Sequence, residues 1–332
     1  MRAAFYDNFG PPDVLVVGDI DPPELRPGEV LMRVAASGIN PSDVKRRAGW
    51  GGAAWPGHRI VAHCDGAGDV VAAADAVGQP WVGRRAWVWS VPGRTFLRQG
   101  TEYGTAAEWL AVPAANLAPL PDGVDYRVGA CLGVPAITAH FAVFADGPVA
   151  GRTVLVQGGG GAVGELAVQM ARAAGARVVA TARSEPRAAI ARAAGAELVV
   201  DGSQADASDL VLASCPDGID RVIEVDFGAN IDFDARVIAT GGTIVSYSST
   251  SCPNPVIPYY ALQRKAALIR LLSNYILPAE SIRAAIDHVT LMLETGDLRP
   301  TIAADMPLKS VVEAHQAVEA RTPGKVVLHC AQ

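Results

Sequence analysis

The sequence predicts an α/β protein of two domains, one β-rich and one built on a doubly wound parallel sheet. Three observations lead there. The chain has 332 residues, enough for two separate cores. Up to residue 122, short apolar runs are punctuated by Pro and Gly, the pattern of an antiparallel barrel or sandwich. From Arg152 onward, apolar runs alternate with Ala-rich stretches of helical length, the rhythm of βαβ units.

The β-rich part is read from runs such as Val30–Val34, Gly68–Val71 and Ala86–Trp89, with turns at Pro11-Pro12, Pro22-Pro23 and Pro27-Gly28. The second part offers six candidate strands: Thr153–Gln157, Arg177–Thr181, Glu197–Val200, Arg221–Val225, Thr243–Tyr247 and Ala267–Leu272. Six strands complete a doubly wound sheet. The tail predicts a helix over Ala279–Thr295 stopped by Gly296, a second over Leu308–Ala320, and a strand at Lys325–His329.

Composition narrows the partners. Hydrophobic residues make up 50% and charged ones 19%, which is a folding composition and not a disordered one. A net charge of −6 argues against nucleic acid, whose phosphates require clustered Lys and Arg. No window reaches the ~18 uninterrupted apolar residues of a membrane span. The N-terminus meets an acid at Asp7 and lacks a long apolar stretch, so a cytoplasmic protein is expected. The five cysteines are odd in number, scattered, and never spaced C-x-x-C. They are expected to be buried small apolar residues, without a disulfide framework or a tetracysteine zinc lobe.

The strongest local signal is Val154-Leu155-Val156-Gln157-Gly158-Gly159-Gly160-Gly161-Ala162-Val163-Gly164. Gly159, Gly161 and Gly164 fit G-x-G-x-x-G, between an apolar strand and a helix whose inner face is Val163, Leu166, Ala167, Met170 and Ala171. Glycines let the backbone approach a pyrophosphate, and the helix N-terminus offers unpaired N–H groups and the positive end of its dipole. The second strand then ends Ala180-Thr181-Ala182-Arg183-Ser184, with Arg187 one turn on. An acid at that tip would bind free ribose hydroxyls; Arg183, Ser184 and Arg187 instead suit a 2′-phosphate, and so NADPH. Ser184 also suits a helix cap, and Arg187 suits an exposed helix face equally well. Ser246, Tyr247 and Ser248, at the carboxyl end of the fifth strand, are expected beside the cofactor.

Further segments carry a family resemblance. Ala35-Ala36-Ser37-Gly38-Ile39-Asn40-Pro41-Ser42-Asp43, Asp65-Gly66-Ala67-Gly68 and Gly104-Thr105-Ala106-Ala107-Glu108 resemble motifs of the zinc-free, zeta-crystallin-like quinone oxidoreductases, within the medium-chain dehydrogenase/reductase superfamily. So do Gly133-Val134-Pro135-Ala136-Ile137-Thr138-Ala139-His140, Glu224 to Asn230 with Gly241-Gly242, and Pro307-Leu308 through Ala314-His315 to Gly324–Leu328. The resemblance spans nearly the whole chain. It implies a discontinuous GroES-like catalytic domain, residues 1–122 and 268–332, around a Rossmann domain, residues 123–267, with the active site in the cleft.

The same resemblance implies Asn40, Asp43 and Thr138 near the nicotinamide, and Trp50 and Trp55 at a substrate pocket where relatives often carry Tyr. His140 stands where relatives often have Tyr, as a candidate proton donor or a structural histidine. Capping of a helix by Asn40 or Ser42 is the plainer reading of Asn40-Pro41-Ser42-Asp43, compatible with the functional one. Zinc-dependent members place a Cys after the "SG" and a Gly-His-Glu near residue 60. Here Ile39-Asn40 and Gly57-His58-Arg59 stand there, and His63-Cys64 are adjacent, so no metal is expected. The implied activity is hydride transfer from NADPH to a quinone or related conjugated carbonyl, by a homodimer. An enone or enoyl double-bond reductase, and a non-catalytic NADPH-binding or redox-sensing protein, are the alternatives.

Overall fold

The computed structural model describes residues 1–91, 94–95, 98–99 and 103–330. The chain divides into two units, Met1–Val134 with Pro300–Gln332, and Pro135–Arg299.

In the first unit the sheet runs, edge to edge, through Leu117–Pro119, Arg85–Val88, Asp65–Ala73, Glu29–Gly38, Lys325–His329 and Ile302–Pro307, with Trp109–Pro113 also pairing to Glu29–Gly38. A smaller sheet centres on Arg2–Tyr6. Alternation decides what faces inward. Val30, Met32 and Val34 are buried while Arg33 between them points to solvent. Trp87 is wholly buried, and its indole N–H donates to the Pro119 carbonyl at 3.1 Å, satisfying the one polar atom it carries inside.

The second unit holds six parallel strands: Thr153–Val156, Arg177–Ala182, Leu198–Asp201, Ile219–Glu224, Ile238–Ser246 and Leu268–Leu271. Counted along the chain, they lie in the order third, second, first, fourth, fifth, sixth. That is the doubly wound dinucleotide-binding order, in which the chain reverses direction beside the first strand. Leu155, Val179, Val222 and Ile244 are buried because helices cover both faces of such a sheet.

The long helix Ala279–Thr295 and five of the six strands match the predicted positions to within two residues, while the fifth strand begins at Ile238, five residues before its predicted start at Thr243. The unit boundaries fall elsewhere than the sequence placed them. Residues 123–134 sit with the first unit: the Tyr126 hydroxyl donates to Asp69, and Gly129 lies so near that a Cβ would meet Ala67 Cβ at 2.6 Å. Leu268–Leu271 is laddered to Ile238–Ser246 and stays in the second unit, as does the helix after it. The return begins at Pro300, not at 268. A composition shift marks where a pattern changes, whereas ladder partners decide membership, and those are not written locally.

Candidate active site

At the end of the first strand the chain turns through Gly158, whose φ of +70° suits glycine. Gly164 faces the loop from the next helix, Ala162–Ala173: a Cβ there would lie 2.2 Å from the Gly158 carbonyl, so only hydrogen fits. The helix therefore begins directly on the loop, with Gly161 as its N-cap. Ala162 and Val163 form its first turn, whose N–H groups have no carbonyl one turn earlier to bond. The loop is also pinned from below. Gly158 N–H donates to Thr181 Oγ1 at 3.0 Å and Gly159 N–H to the Thr181 carbonyl at 2.9 Å. Arg187 donates from Nη1 to the Gly160 carbonyl at 3.3 Å, which brings its guanidinium against the loop.

Ala182 is buried, and Arg183 and Ser184 beyond it are exposed. Ser184 holds the N-cap position of Glu185–Ala194, but its side chain makes no capping bond. Arg183 Nη2 approaches Asn230 Oδ1 at 3.5 Å. The second strand indeed carries no acid at its tip. The third supplies one, Asp201, in register beside Ala182, and the charge of Arg183 helps hold its carboxyl below the usual range after its bonds to Ser203 and Gln204. Strand-by-strand reading missed Asp201; a register across two strands was the only signal. At the fifth strand, Ser246 Oγ donates to the Ser248 carbonyl at 3.1 Å, and Ser248 Oγ meets Thr250 Oγ1 at 2.8 Å. Tyr247 is half-buried, its phenol pushed up by burial and then by the charge of Glu224. These groups lie at the carboxyl ends of the strands, and the glycine loop, the helix N-terminus and the two arginines supply donor chemistry suited to a dinucleotide phosphate.

In the first unit, Asn40 precedes the helix Pro41–Arg47, and Asp43 accepts the Asn40 N–H at 2.9 Å, closing a capping box. Both are buried. Asn40 Oδ1 accepts from Lys325 Nζ at 2.5 Å, and the same ammonium pairs with Asp65 at 3.0 Å. Burial pushes the Asp65 carboxyl up, while Lys325 opposes the shift. Asp65 also accepts the Val134 N–H at 2.9 Å, at the start of Gly133–Phe144. Asn40 Nδ2 finds no acceptor within bonding range among the described residues, although the amide lies close enough to Asp65 to favour its charged form. Sequence reading did not single out Lys325 or Asp65 as partners of Asn40.

A second buried chain adjoins these residues. Arg47 can only donate, so its bond to His315 Nδ1 at 3.1 Å puts the His315 proton on Nε2. That proton points at His63 Nε2, 2.9 Å away, leaving the His63 proton on Nδ1 toward Ser37 Oγ at 2.9 Å. Ser37 meets Thr105 Oγ1 at 2.8 Å, and Thr105 donates to the Asp65 carbonyl at 2.7 Å. Every donor has one direction available. His63 thus has both ring nitrogens engaged, and Cys64 Sγ lies 3.0 Å from Arg46 Nη1. Among the described residues no group of three or more His, Cys, Asp or Glu could hold a metal ion.

The remaining candidates are placed as follows. Thr138 and His140 lie on Gly133–Phe144, with Thr138 buried. His140 packs its ring 4.9 Å from Phe144 and 5.3 Å from His288. Burial, and then His288, push its imidazole down to about 4, so it is neutral near pH ~7 and poorly suited to giving up an imidazolium proton. Trp55 packs edge-on to Phe9 at 5.0 Å and near Tyr6 at 6.0 Å. Trp50 is exposed, with the Lys45 ammonium 5.0 Å from its ring centroid. No helix among the described residues is long and apolar enough to cross a membrane.

A GroES-like unit together with a doubly wound sheet carrying a glycine loop defines the two-domain class of nicotinamide-dependent dehydrogenases and reductases. Known proteins agree. Residues 26–122 match the alcohol dehydrogenase GroES-like domain, and residues 162–290 match the family described as zinc-binding dehydrogenase. The quinone oxidoreductase of Lama guanicoe is 30% identical over 335 residues, covering 99% of this chain and 97% of its own. An Arabidopsis thaliana chloroplastic NADPH-dependent alkenal/one oxidoreductase is 28% identical, covering 99% of this chain and 79% of its own. The structure of a mycobacterial protein complexed with NADPH superposes with a TM-score of 0.84 at 26% identity, covering 99% of both chains. The chain belongs to the quinone oxidoreductase family of the medium-chain dehydrogenase/reductase superfamily, and it is an oxidoreductase that uses a nicotinamide cofactor.

Proposed function

We propose that this enzyme reduces a quinone or a related conjugated carbonyl with NADPH, without zinc. The observation that carries the cofactor choice is the arginine pair at the glycine loop: Arg183 exposed beyond the second strand, and Arg187 bonded to Gly160. Gly158–Gly164 take the pyrophosphate on backbone N–H groups and the helix N-terminus. Arg183, Ser184 and Arg187 take the 2′-phosphate, with Asp201 beside Arg183 limiting the preference. Thr181 and Ala182 line the ribose end, and Ser246, Tyr247 and Ser248 the nicotinamide end.

A bound reduced nicotinamide would supply a hydride, which is one proton with two electrons, and one further proton taken from solvent would balance the reduction of a quinone to the hydroquinone. Asn40, Asp43 and Thr138 orient the reacting groups. Lys325 fixes the Asn40 amide through its Oδ1, and an amide N–H is the type of group that stabilises charge gathering on a carbonyl oxygen. Quinones and enones delocalise that charge and need no Lewis acid. The place where zinc-dependent members put a ligand is held by Asn40, whose side chain is already committed to Lys325. Trp50 and Trp55 bound the substrate. An enone reductase is the second reading, favoured by the likeness to the alkenal/one oxidoreductase.

NADPH oxidation should be followed with quinones, enones and simple alcohols' ketones, with chelator present. Quinone turnover that survives chelation is expected. Turnover lost with a tightly bound zinc, or confined to ketones, overturns the reading.

A further inference from the structure

The floor of the second unit's nucleotide cradle contains two carboxyls packed together, and the site described above uses neither. Glu224 ends the fourth strand and Asp234 lies on the helix Phe227–Val237; both are wholly buried. Asp234 Oδ1 accepts from Gln157 Nε2 at 2.8 Å. Its Oδ2 has no donor among the described residues, yet its side chain sits within hydrogen-bonding reach of Glu224. Two ionised carboxylates would only repel there. The contact becomes a bond when one of them holds a proton.

The surrounding bonds say which one. Glu224 is fed by donors: the Asp226 N–H, and Asn230 Nδ2 at 3.0 Å to Oε1 and 3.2 Å to Oε2. Asp234 receives one donor only, on the oxygen away from the vacancy. Donors favour the charged form, so Glu224 keeps the charge and Asp234 the proton. The other groups facing the pair are Tyr247, whose phenol feels the charge of Glu224, and Asp226, whose charge raises the Glu224 carboxyl.

This pair joins both ends of the cradle. Toward the loop, Gln157 Oε1 accepts from Thr181 Oγ1 at 2.7 Å, and Thr181 Oγ1 accepts the Gly158 N–H. Toward the strand tip, Asn230 gives its amide to Glu224 and receives Arg183 on Oδ1. With that pattern each side chain in the path has its donor and acceptor ends assigned.

We infer that Asp234 is a positioning residue for the dinucleotide: it carries a proton on Oδ2, donates it to Glu224, and so locks the Gln157–Thr181 support of the glycine loop and the Asn230 rest for Arg183. The inference rests on the reading that this cradle binds NADPH.

Asp234→Asn tests it. An amide there keeps one acceptor toward Gln157 and offers N–H toward Glu224, imitating the protonated acid; Asp234→Ala and Asp234→Leu imitate nothing. Binding of NADPH and NADH to the full-length chain should be measured by nucleotide fluorescence. Asp234→Asn should bind within about twofold of the parent, whereas the other two should weaken NADPH roughly tenfold or more. Isotope-edited infrared spectra of the nucleotide-free protein should show a protonated carboxyl band in the parent that Asp234→Asn removes. That spectroscopic arm holds even if the truncated variants fail to fold. Absence of the band, or an Asp234→Asn variant as weak as Asp234→Ala, overturns the inference. A parent that binds neither nucleotide while keeping the band overturns the reading of the cradle instead.

Discussion

Single residues here do work that their neighbours define. Arg183 has Asn230 on one side and Asp201 on the other. Replacing it with Ala removes the cation and leaves the Asp201 carboxylate facing the incoming phosphate. The apparent constant for NADPH should rise about tenfold or more, with NADH nearly unchanged, in steady-state kinetics with both cofactors. Equal effects on the two would show that Arg183 does not contact a 2′-phosphate. Lys325 gives a sharper stability test, because it is 3% exposed against an Asp65 that is 1% exposed. Lys325→Met removes the only cation bonded to the buried Asp65 carboxylate among the described residues, together with the Lys325 bond to Asn40 Oδ1, at an expected cost of about 3–5 kcal/mol in denaturant unfolding. A loss under ~1 kcal/mol would mean that the pair is not charged in the fold.

At the scale of elements, the last strand of the parallel sheet has an open edge. Leu268, Ile269 and Leu271 are exposed by 58%, 38% and 76%, in a strand that among the described residues pairs only with Ile238–Ser246. Apolar edges invite another strand, and natural proteins cover them. A second copy of this chain is the expected cover, giving the proposed homodimer. Leu271→Lys with Ile269→Lys should convert the assembly to a species of 34.5 kDa by light scattering, without loss of helical signal. A parent already at that mass at micromolar concentration would sink the proposal. The helix Pro41–Arg47 teaches a related lesson. Its capping box and its proposed cofactor role use the same two residues, so capping is not evidence against function.

For the molecule as a whole, the buried His315 and the half-buried His140 are expected to contribute to the response to acid. Burial holds His140 near 4 and His315 near 2, against an ordinary 6.5. An unfolded imidazole protonates near 6.5 while the folded ones resist, so the unfolded state binds more protons below that value. Stability is therefore full above about 6.5 and falls as pH drops through the interval, by about 1.4 kcal/mol per unit for each group. His140→Phe, which keeps an aromatic ring against Phe144 and His288, should lower the melting temperature less than the parent between pH ~7.5 and ~5. Parallel declines would show that His140 protonates freely in the fold.

The sequence alone determined the α/β class, the six parallel strands, the glycine loop and the absence of an acid on the second strand. Each is local: periodicity sets strand or helix, and a glycine at a forced φ or a crowded contact tolerates no substitute. Asn40 was legible for the same reason, as one of two candidate caps of the next helix, whereas Asp43 came forward only through the family resemblance. Tertiary structure alone decided where the units divide, because a strand belongs to whichever partner completes its hydrogen bonds. It alone set Lys325 on Asn40 across 285 residues and Asp201 beside Arg183. It also turned His140 from a candidate acid into a neutral ring, since a pKa follows from what surrounds a group and not from the group itself. The proton between Asp234 and Glu224 belongs to the same class: two unremarkable acids ten positions apart become one unit only when folding removes the water between them.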